Sequence, residues 1–319
     1  MRAARLHGAG DVRLTDENDP VPGQGESLVE VTSVGLCGSD LHWFTEGGIG
    51  DAVVARPLVL GHEMAGVVRG GELDGRRVAI DPAIPCMHCE PCLAGDPNLC
   101  LNIVFAGHGT CDGGLRQLMA WPTHRLHALP DTIGGDEGAL LEPLGVALHA
   151  YDMARPRLAQ TVAVVGCGPI GLMLIQLARL AGATQVYAAE PLPHRLDAAI
   201  GLGAEPLDAT QADLVFEVSG SDSAVDTALR AAKPGARVIL VGIPDGDRTS
   251  FPASIARRKG LTLVLSRRMG EVYPRAIDLV SRRLLDLTSL VSSAFPLTEI
   301  DKALTAAAAR TGLKVVVHP

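Results

Sequence analysis

Cys86-Met-His-Cys89-Glu-Pro-Cys92, with Cys100 further on, sets four thiols at the spacing C-x2-C-x2-C-x7-C. Thiolates this close along a chain can close a tetrahedron round one metal ion and leave no position open for a substrate. Zinc suits an all-thiolate tetrahedron; the same spacing also suits an iron–sulfur cluster. Nothing else in the sequence points to electron transfer, so zinc is the expectation. Cys86, Cys89, Cys92 and Cys100 then hold structure, and His88 between them is expected to face solvent. The chain has seven cysteines. Four of them clustered in one loop point to a metal and a reducing compartment, not to disulfides.

A second set of donors is scattered. Cys37 lies in Cys-Gly-Ser-Asp-Leu-His, His62 and Glu63 in Gly-His-Glu, and Glu142 in Leu-Glu-Pro. A catalytic zinc needs three protein ligands from separated segments and an open fourth position. Singly each motif is weak, because a lone cysteine is usually a small hydrophobe. Their order, beside the four-cysteine loop, gives the combination its weight.

The third constellation is Gly166-Cys-Gly168-Pro169-Ile170-Gly171, between the apolar run Thr161 to Val165 and a helical pattern. After a buried strand and before a helix, G-x-G-x-x-G is a dinucleotide turn. Its first two glycines allow the tight turn and the close approach of a pyrophosphate to the helix N-terminus. The third lets helix and strand pack. Cys167 is expected to present a small neutral side chain to the cofactor. Glu190 ends the next strand and can accept hydrogen bonds from the adenosine ribose, which favours NAD over NADP. Arg195 cuts the other way: it either holds a 2′-phosphate or stands exposed in the first turn of the following helix.

These residues need elements to hold them. Residues 1 to about 150 are rich in glycine, proline and short β-branched runs, with strands expected at Ser27 to Val34 and Arg77 to Ile80. From about residue 155 strands alternate with helices. Strands are expected at 161–165, 185–189, 214–218, 238–241 and 261–265, and helices at 169–180, 194–202 and 221–232. That alternation implies a doubly wound parallel sheet, an α/β fold. Only Pro206 to Ala212 separates one helix from the next strand, too few residues for a full crossover helix. The expected division is 1–153 with 267–319 for one domain, and 154–266 for the inserted nucleotide domain.

Of the 319 residues, 47% are hydrophobic and 20% charged, and the formal net charge is −8. Such a chain can bury a core. It offers no basic block for nucleic acid or anionic membrane. The richest apolar stretch, Val162 to Leu180, is broken by glycines and polar residues, so no membrane span is expected. No signal peptide is visible, and a cytoplasmic location is expected.

The stretch CGSDLHWFTEGGIGDAVVARPLVLGHE, the four-cysteine loop, LEPLGVALHA, GCGPIG and DLVFEVSG together resemble the zinc-dependent medium-chain dehydrogenases. Within these the chain is most similar to the sorbitol, xylitol and L-idonate dehydrogenase branch, over nearly its whole length. The resemblance implies a Rossmann domain inserted into a GroES-like, mostly β catalytic domain. It implies a catalytic zinc on Cys37, His62 and Glu63, with Glu142 a ligand in some relatives and a more distant or water-mediated contact in others. Alcohol dehydrogenases proper tend to carry cysteine at that position, so Glu142 argues for the polyol branch. It implies hydride transfer from an alcohol carbon to NAD, with Ser39 taking the alcohol proton and His42 passing it to solvent. Trp43, Phe105, Glu142 and Arg267 are expected to face the substrate. The branch often has Tyr-Tyr where this chain has Trp43-Phe44, and an aromatic where it has Arg268. That arginine either favours an acid sugar or lies exposed. The remaining readings are another zinc alcohol dehydrogenase acting on a secondary alcohol, threonine or an aminocyclitol, a zinc-free quinone reductase, and a non-enzymatic zinc-bearing binding protein. A homodimer or homotetramer is expected.

Overall fold

The computed structural model describes residues 1–50, 52–244 and 248–319. The chain divides into two units, Met1–Glu142 with Tyr273–Pro319, and Pro143–Val272. The first boundary falls inside the helix Leu141–Ala154. The change of texture near Tyr151, from which the sequence placed the boundary at 153, marks the end of that helix instead.

The first unit is built on a seven-stranded sheet. Its order is Leu126–Ala128, Arg77–Ile80, Glu63–Arg69, Glu26–Gly35, Lys314–His318, Val291–Pro296, with Leu118–Pro122 also paired to Glu26–Gly35. Neighbours run antiparallel except the last pair, which is parallel. Val29, Val31 and Val34 of the long strand Glu26–Gly35 are buried with Met64, Val68, Val78, Ile80, Met119, Val315 and Val317. Buried side chains two apart along a strand share a face, and that face supplies the core. The strand Lys314–His318 lies against the end of Glu26–Gly35 nearest Cys37, with Val316 opposite Gly35 and Val317 opposite Val34.

The second unit is a six-stranded parallel sheet in the order Glu205–Pro206, Gln185–Ala189, Thr161–Val165, Ala212–Glu217, Ala232–Leu240, Thr262–Leu265. In order of appearance that is 3-2-1-4-5-6, the doubly wound arrangement, whose ligand crevice lies where the order reverses. The reversal sits between Thr161–Val165 and Ala212–Glu217, just below the glycine turn. No helix lies between Glu205–Pro206 and Ala212–Glu217, as the short spacing implied. Pro234 and Gly235 lie inside the strand Ala232–Leu240. That strand shifts register there against its neighbour, Ala212 pairing Ala232 and Leu214 pairing Arg237. The bulge absorbs the proline without a lost ladder bond.

Candidate active site

The four-cysteine loop folds on itself. Cys89 caps the short helix Glu90–Leu93, and Pro91 stands in its first turn. The sulfur of Cys89 lies 3.4 Å from that of Cys92 and 3.8 Å from that of Cys100. All four sulfurs fall within 4.8 Å of one another. A tetrahedron with metal–sulfur bonds of about 2.3 Å has edges of about 3.8 Å, so the spacing fits a closed thiolate site. Met87 adopts a left-handed φ of 58°, which turns the next amides back toward Cys86. Hydrogen bonds from the backbone of His88, then of Cys89, pull the Cys86 thiol down to about 6. Burial pushes Cys92 up to about 12. His88 is exposed, its ring against the Cys86 carbonyl at 2.6 Å.

The second centre is assembled from two segments. Cys37 is the N-cap of the helix Gly38–Glu46. His62 and Glu63 enter the strand Glu63–Arg69 behind Gly61, whose φ is 90°. A side chain at Gly61 would strike Val34 at 2.6 Å, so the sharp turn presenting His62 requires glycine. The ligand atoms of Cys37, His62 and Glu63 lie within 4.8 Å of one another. A thiolate from one segment with an imidazole and a carboxylate from another make a donor set that fits zinc with a position open for substrate.

Two charged residues hold this centre together. Asp40 is 0% exposed. One of its oxygens accepts from the Cys37 amide at 2.9 Å. The other accepts from the Gly61 amide at 3.1 Å and faces the His62 Nδ1 at 3.5 Å. Burial works against the Asp40 charge, but His62 and these amides prevail and hold its carboxyl below the ordinary range. In return, and against its own burial, His62 is pushed well above its ordinary value by Asp40 and Cys37. Asp40 thus orients the ligands through hydrogen bonds, as carboxylates beside metal-bound histidines do. The second residue is Lys314. Its Nζ donates to both Glu63 oxygens at 2.7 Å and to the Leu36 carbonyl at 3.0 Å. Burial opposes the Lys314 charge too, and Glu63 raises its pKa above the ordinary value. The Glu63 carboxylate is therefore shared between the metal position and a buried ammonium.

Glu142 lies outside that cluster, at the start of its helix and buried. Burial carries its carboxyl up to about 7, against the pull of His62 and with the help of Glu63. Ser39 and His42 stand in the first turns of the helix Gly38–Glu46, three residues apart and hence on one face. His42 Nδ1 meets Glu46 Oε1 at 2.8 Å. Phe105 is half-buried with its ring 5.4 Å from that of His62. Trp43 does not stand open to a substrate: it is 2% exposed in the core of the first unit, edge-on to His108 at 5.5 Å.

In the second unit the glycine turn is tight enough to exclude side chains. At Gly166, φ 97°, a Cβ would lie 3.0 Å from the Ser219 amide, and at Gly171 one would lie 2.0 Å from the Gly166 carbonyl. Gly168 caps the helix Pro169–Leu180, with Pro169 and Ile170 in its first turn. This is a cradle for a pyrophosphate. Glu190 reaches back to it, one oxygen accepting from the Cys167 amide at 2.7 Å and the other from the Leu192 amide at 3.1 Å. A Cβ on Gly168 would lie 3.7 Å from Nη1 of Arg195, so acid and guanidinium both converge on the turn. Cys167 is 0% exposed, and burial pushes its thiol up to about 12; it is neutral, as expected, but sealed inside. Glu217 is 1% exposed and accepts from the Ser219 and Gly220 amides, both at 2.8 Å, bracing the loop beside Gly166. Within DLVFEVSG, Glu217 is a carboxylate ending a buried strand, and that placement is its only signal in the sequence. Arg267 follows the strand Thr262–Leu265 and is exposed.

A dinucleotide turn, a closed thiolate site and an open Cys–His–carboxylate site define a metal-dependent oxidoreductase that uses a nicotinamide dinucleotide. The chain matches models of an alcohol dehydrogenase GroES-like domain at residues 23–131 and of a zinc-binding dehydrogenase at 169–282. It is 31% identical to a sorbitol dehydrogenase of Bacillus subtilis (strain 168), over 100% of this chain and 97% of that protein. The L-idonate 5-dehydrogenase of Escherichia coli K-12 superposes with a TM-score of 0.90 at 28% identity, covering 100% of this chain and 98% of that one. A zinc-binding dehydrogenase of Sinorhizobium meliloti 1021 solved with NADP gives 0.91 at 30% identity, covering 100% and 99%. The chain belongs to the zinc-dependent medium-chain dehydrogenases, in their polyol branch. The expected zinc therefore stands, and the iron–sulfur, quinone-reductase and non-enzymatic readings fall away. Among the described residues no helix is long and apolar enough to cross a membrane.

Proposed function

We propose that this enzyme oxidises a secondary hydroxyl of a polyol or sugar acid, one whose neighbouring carbon also bears a hydroxyl, with NAD as oxidant. The observation that carries the reading is the convergence of Cys37, His62 and Glu63 at the end of the helix that bears Ser39 and His42. Zinc there supplies Lewis-acid polarisation of the substrate oxygen, and the dinucleotide supplies a hydride acceptor. Ser39 Oγ accepts the hydroxyl proton and passes it to His42, which delivers it to solvent. Glu142, its carboxyl carried up to about 7, can hydrogen-bond the adjacent hydroxyl in either protonation state. Two anchored oxygens fix which carbon reacts, and orientation of that kind is worth more than affinity alone.

NAD is preferred because the Glu190 carboxylate at the ribose end of the turn repels a 2′-phosphate. The reduced four-thiol cluster supports a cytoplasmic enzyme. Among the described residues the parallel sheet ends on the strand Thr262–Leu265, paired on one side, with Leu265 75% exposed. An apolar sheet edge of that kind supports a homo-oligomer, which light scattering would count.

The test is a panel of sorbitol, xylitol, L-idonate and 2-propanol with NAD and NADP, read by absorbance of the reduced cofactor. The polyols should exceed 2-propanol in kcat/KM by at least about tenfold, because a simple alcohol leaves buried polar groups unpaired. Equal efficiency would sink the substrate assignment and leave the family untouched.

A further inference from the structure

Three backbone turns meet at the C-terminal ends of the parallel strands Thr161–Val165, Ala212–Glu217 and Ala232–Leu240. They lie too close for a side chain to stand between them. A Cβ on Gly166 would lie 3.0 Å from the Ser219 nitrogen, and one on Gly220 2.1 Å from the Ile243 carbonyl oxygen. One on Gly242 would lie 2.1 Å from the Gly220 nitrogen. Glu217 sits where these turns join. One oxygen of its carboxylate accepts from the Ser219 and Gly220 amides, both at 2.8 Å. Its backbone carbonyl accepts from the Val241 amide at 2.8 Å and the Gly242 amide at 3.2 Å. Burial raises its carboxyl above the ordinary value, although the Gly220, Ser219 and Gly242 amides pull the other way.

We propose that Glu217 is a positioning residue for the nicotinamide half of the dinucleotide, holding the Ser219–Gly220 and Gly242–Ile243 turns as one rigid surface for it. The inference rests on the reading that places the adenosine ribose at Glu190. A doubly wound sheet binds a dinucleotide across the point where strand order reverses, one mononucleotide to each half. Glu190 follows the strand Gln185–Ala189, on one side of that point. The pyrophosphate falls to the Gly166 turn. The second mononucleotide then falls to the ends of Ala212–Glu217 and Ala232–Leu240, where Glu217 stands. Glycine backbone lets a ligand approach closely but supplies no side chain to fix a turn. The buried carboxylate supplies that brace. Two amides on one oxygen fix the Ser219–Gly220 turn, and the turn fixes Gly242 by contact. Ser221 caps the next helix, Asp222–Ala231, its Oγ accepting from the Ala224 amide at 3.3 Å, so the turn is held from both ends. The turn needs an acceptor oxygen at this reach and not a charge, and a neutral amide oxygen also has two lone pairs.

The experiment measures binding of NADH and of ADP-ribose by calorimetry, with melting temperatures as the check of folding. It uses the zinc-loaded native enzyme, Glu217→Ala, Glu217→Asp, Glu217→Gln and Glu190→Ala. ADP-ribose carries the adenosine and the pyrophosphate and lacks the nicotinamide. Glu217→Ala should weaken NADH roughly tenfold, the order of effect of a buried amide left unpaired, with ADP-ribose binding unchanged. Glu217→Asp keeps the charge but loses the reach, and should behave as Glu217→Ala does. Glu217→Gln keeps the oxygen in place and should bind both ligands as the native enzyme does. If Glu217→Ala does not fold, the contrast between Glu217→Asp and Glu217→Gln carries the test. Equal loss of NADH and ADP-ribose would give Glu217 a role in the fold alone and overturn the inference. Native NADH affinity in Glu217→Ala or Glu217→Asp would overturn it as well. So would a Glu217→Gln enzyme as weak as either, since charge and not reach would then be at work. Glu190→Ala should weaken ADP-ribose; if it does not, the reading of the adenosine end falls, and the inference with it.

Discussion

The four-cysteine loop and the Cys37 centre sit in the same unit and bind the same element by opposite routes. The first draws every ligand from one stretch between Cys86 and Cys100, all thiols, braced by amides of the loop itself. The second draws ligands from two distant segments, mixes donor types, and relies on groups that are not ligands. Asp40 ties the helix to the Gly61 turn, and Lys314 reaches Glu63 across 251 residues. A closed site satisfies its metal and serves the fold. An open site leaves a position for chemistry, and the surrounding protein must hold the geometry that the metal alone does not.

The comparison is broken most severely by exchanging the two cysteines. Cys37→Ser should cut turnover with sorbitol by at least roughly a thousandfold, several kcal/mol of lost transition-state stabilisation, while the melting temperature changes little. Cys86→Ser should lower the melting temperature most and cost activity only through loss of folded protein. Steady-state kinetics and calorimetry on both variants check this; an active Cys37→Ser enzyme would reverse the assignment of the two sites.

Lys314→Met should come next. It leaves the buried Glu63 carboxylate without its ammonium, which typically costs about 3–5 kcal/mol. Lys314→Met with Glu63→Gln should recover much of that, because the two residues act as a coupled pair. Additive losses in denaturant titrations would mean that the pair does not work as the geometry implies.

Glu142 offers a pH test. Burial, opposed by His62 and aided by Glu63, carries its carboxyl from the ordinary 4.5 to about 7. A carboxyl raised on folding favours the folded state fully below the ordinary value, and that contribution disappears as pH rises through about 7. With the catalytic metal removed, Glu142→Gln and native protein should be equally stable near pH 4. By pH 9 the variant should be the more stable by up to about 3 kcal/mol. A difference that does not change with pH would refute the argument.

The smallest effect is cofactor choice. NAD should exceed NADP in kcat/KM by about tenfold, or roughly 1.4 kcal/mol, and Glu190→Ala should narrow the ratio. Equal use by the native enzyme would mean that Arg195, which also reaches the turn, offsets the carboxylate.

The legible parts of the molecule were those whose signal is local. The four cysteines announce their site by spacing. The strand Thr161–Val165 and the helix Pro169–Leu180 were bounded correctly because glycines and a proline mark the turn between them. The Cys37 centre was readable only as motifs in order, because nothing in the sequence says how far apart the segments lie in space. Lys314 was invisible: in Lys-Val-Val-Val-His it reads as the first residue of a strand, and its meaning comes from pairing with Glu26–Gly35. Trp43 shows the reverse failure. Position beside a motif suggested a substrate contact, and helix periodicity put the side chain into the core instead.

Elemental analysis of carefully prepared native enzyme, set beside the Cys37→Ser and Cys86→Ser variants, tests the division of labour most directly. Native enzyme should hold two zinc ions per chain. Folded but inactive Cys37→Ser protein should hold one, retained by the four cysteines. A single zinc in fully active native enzyme, or two in an inactive Cys37→Ser chain, would contradict that division.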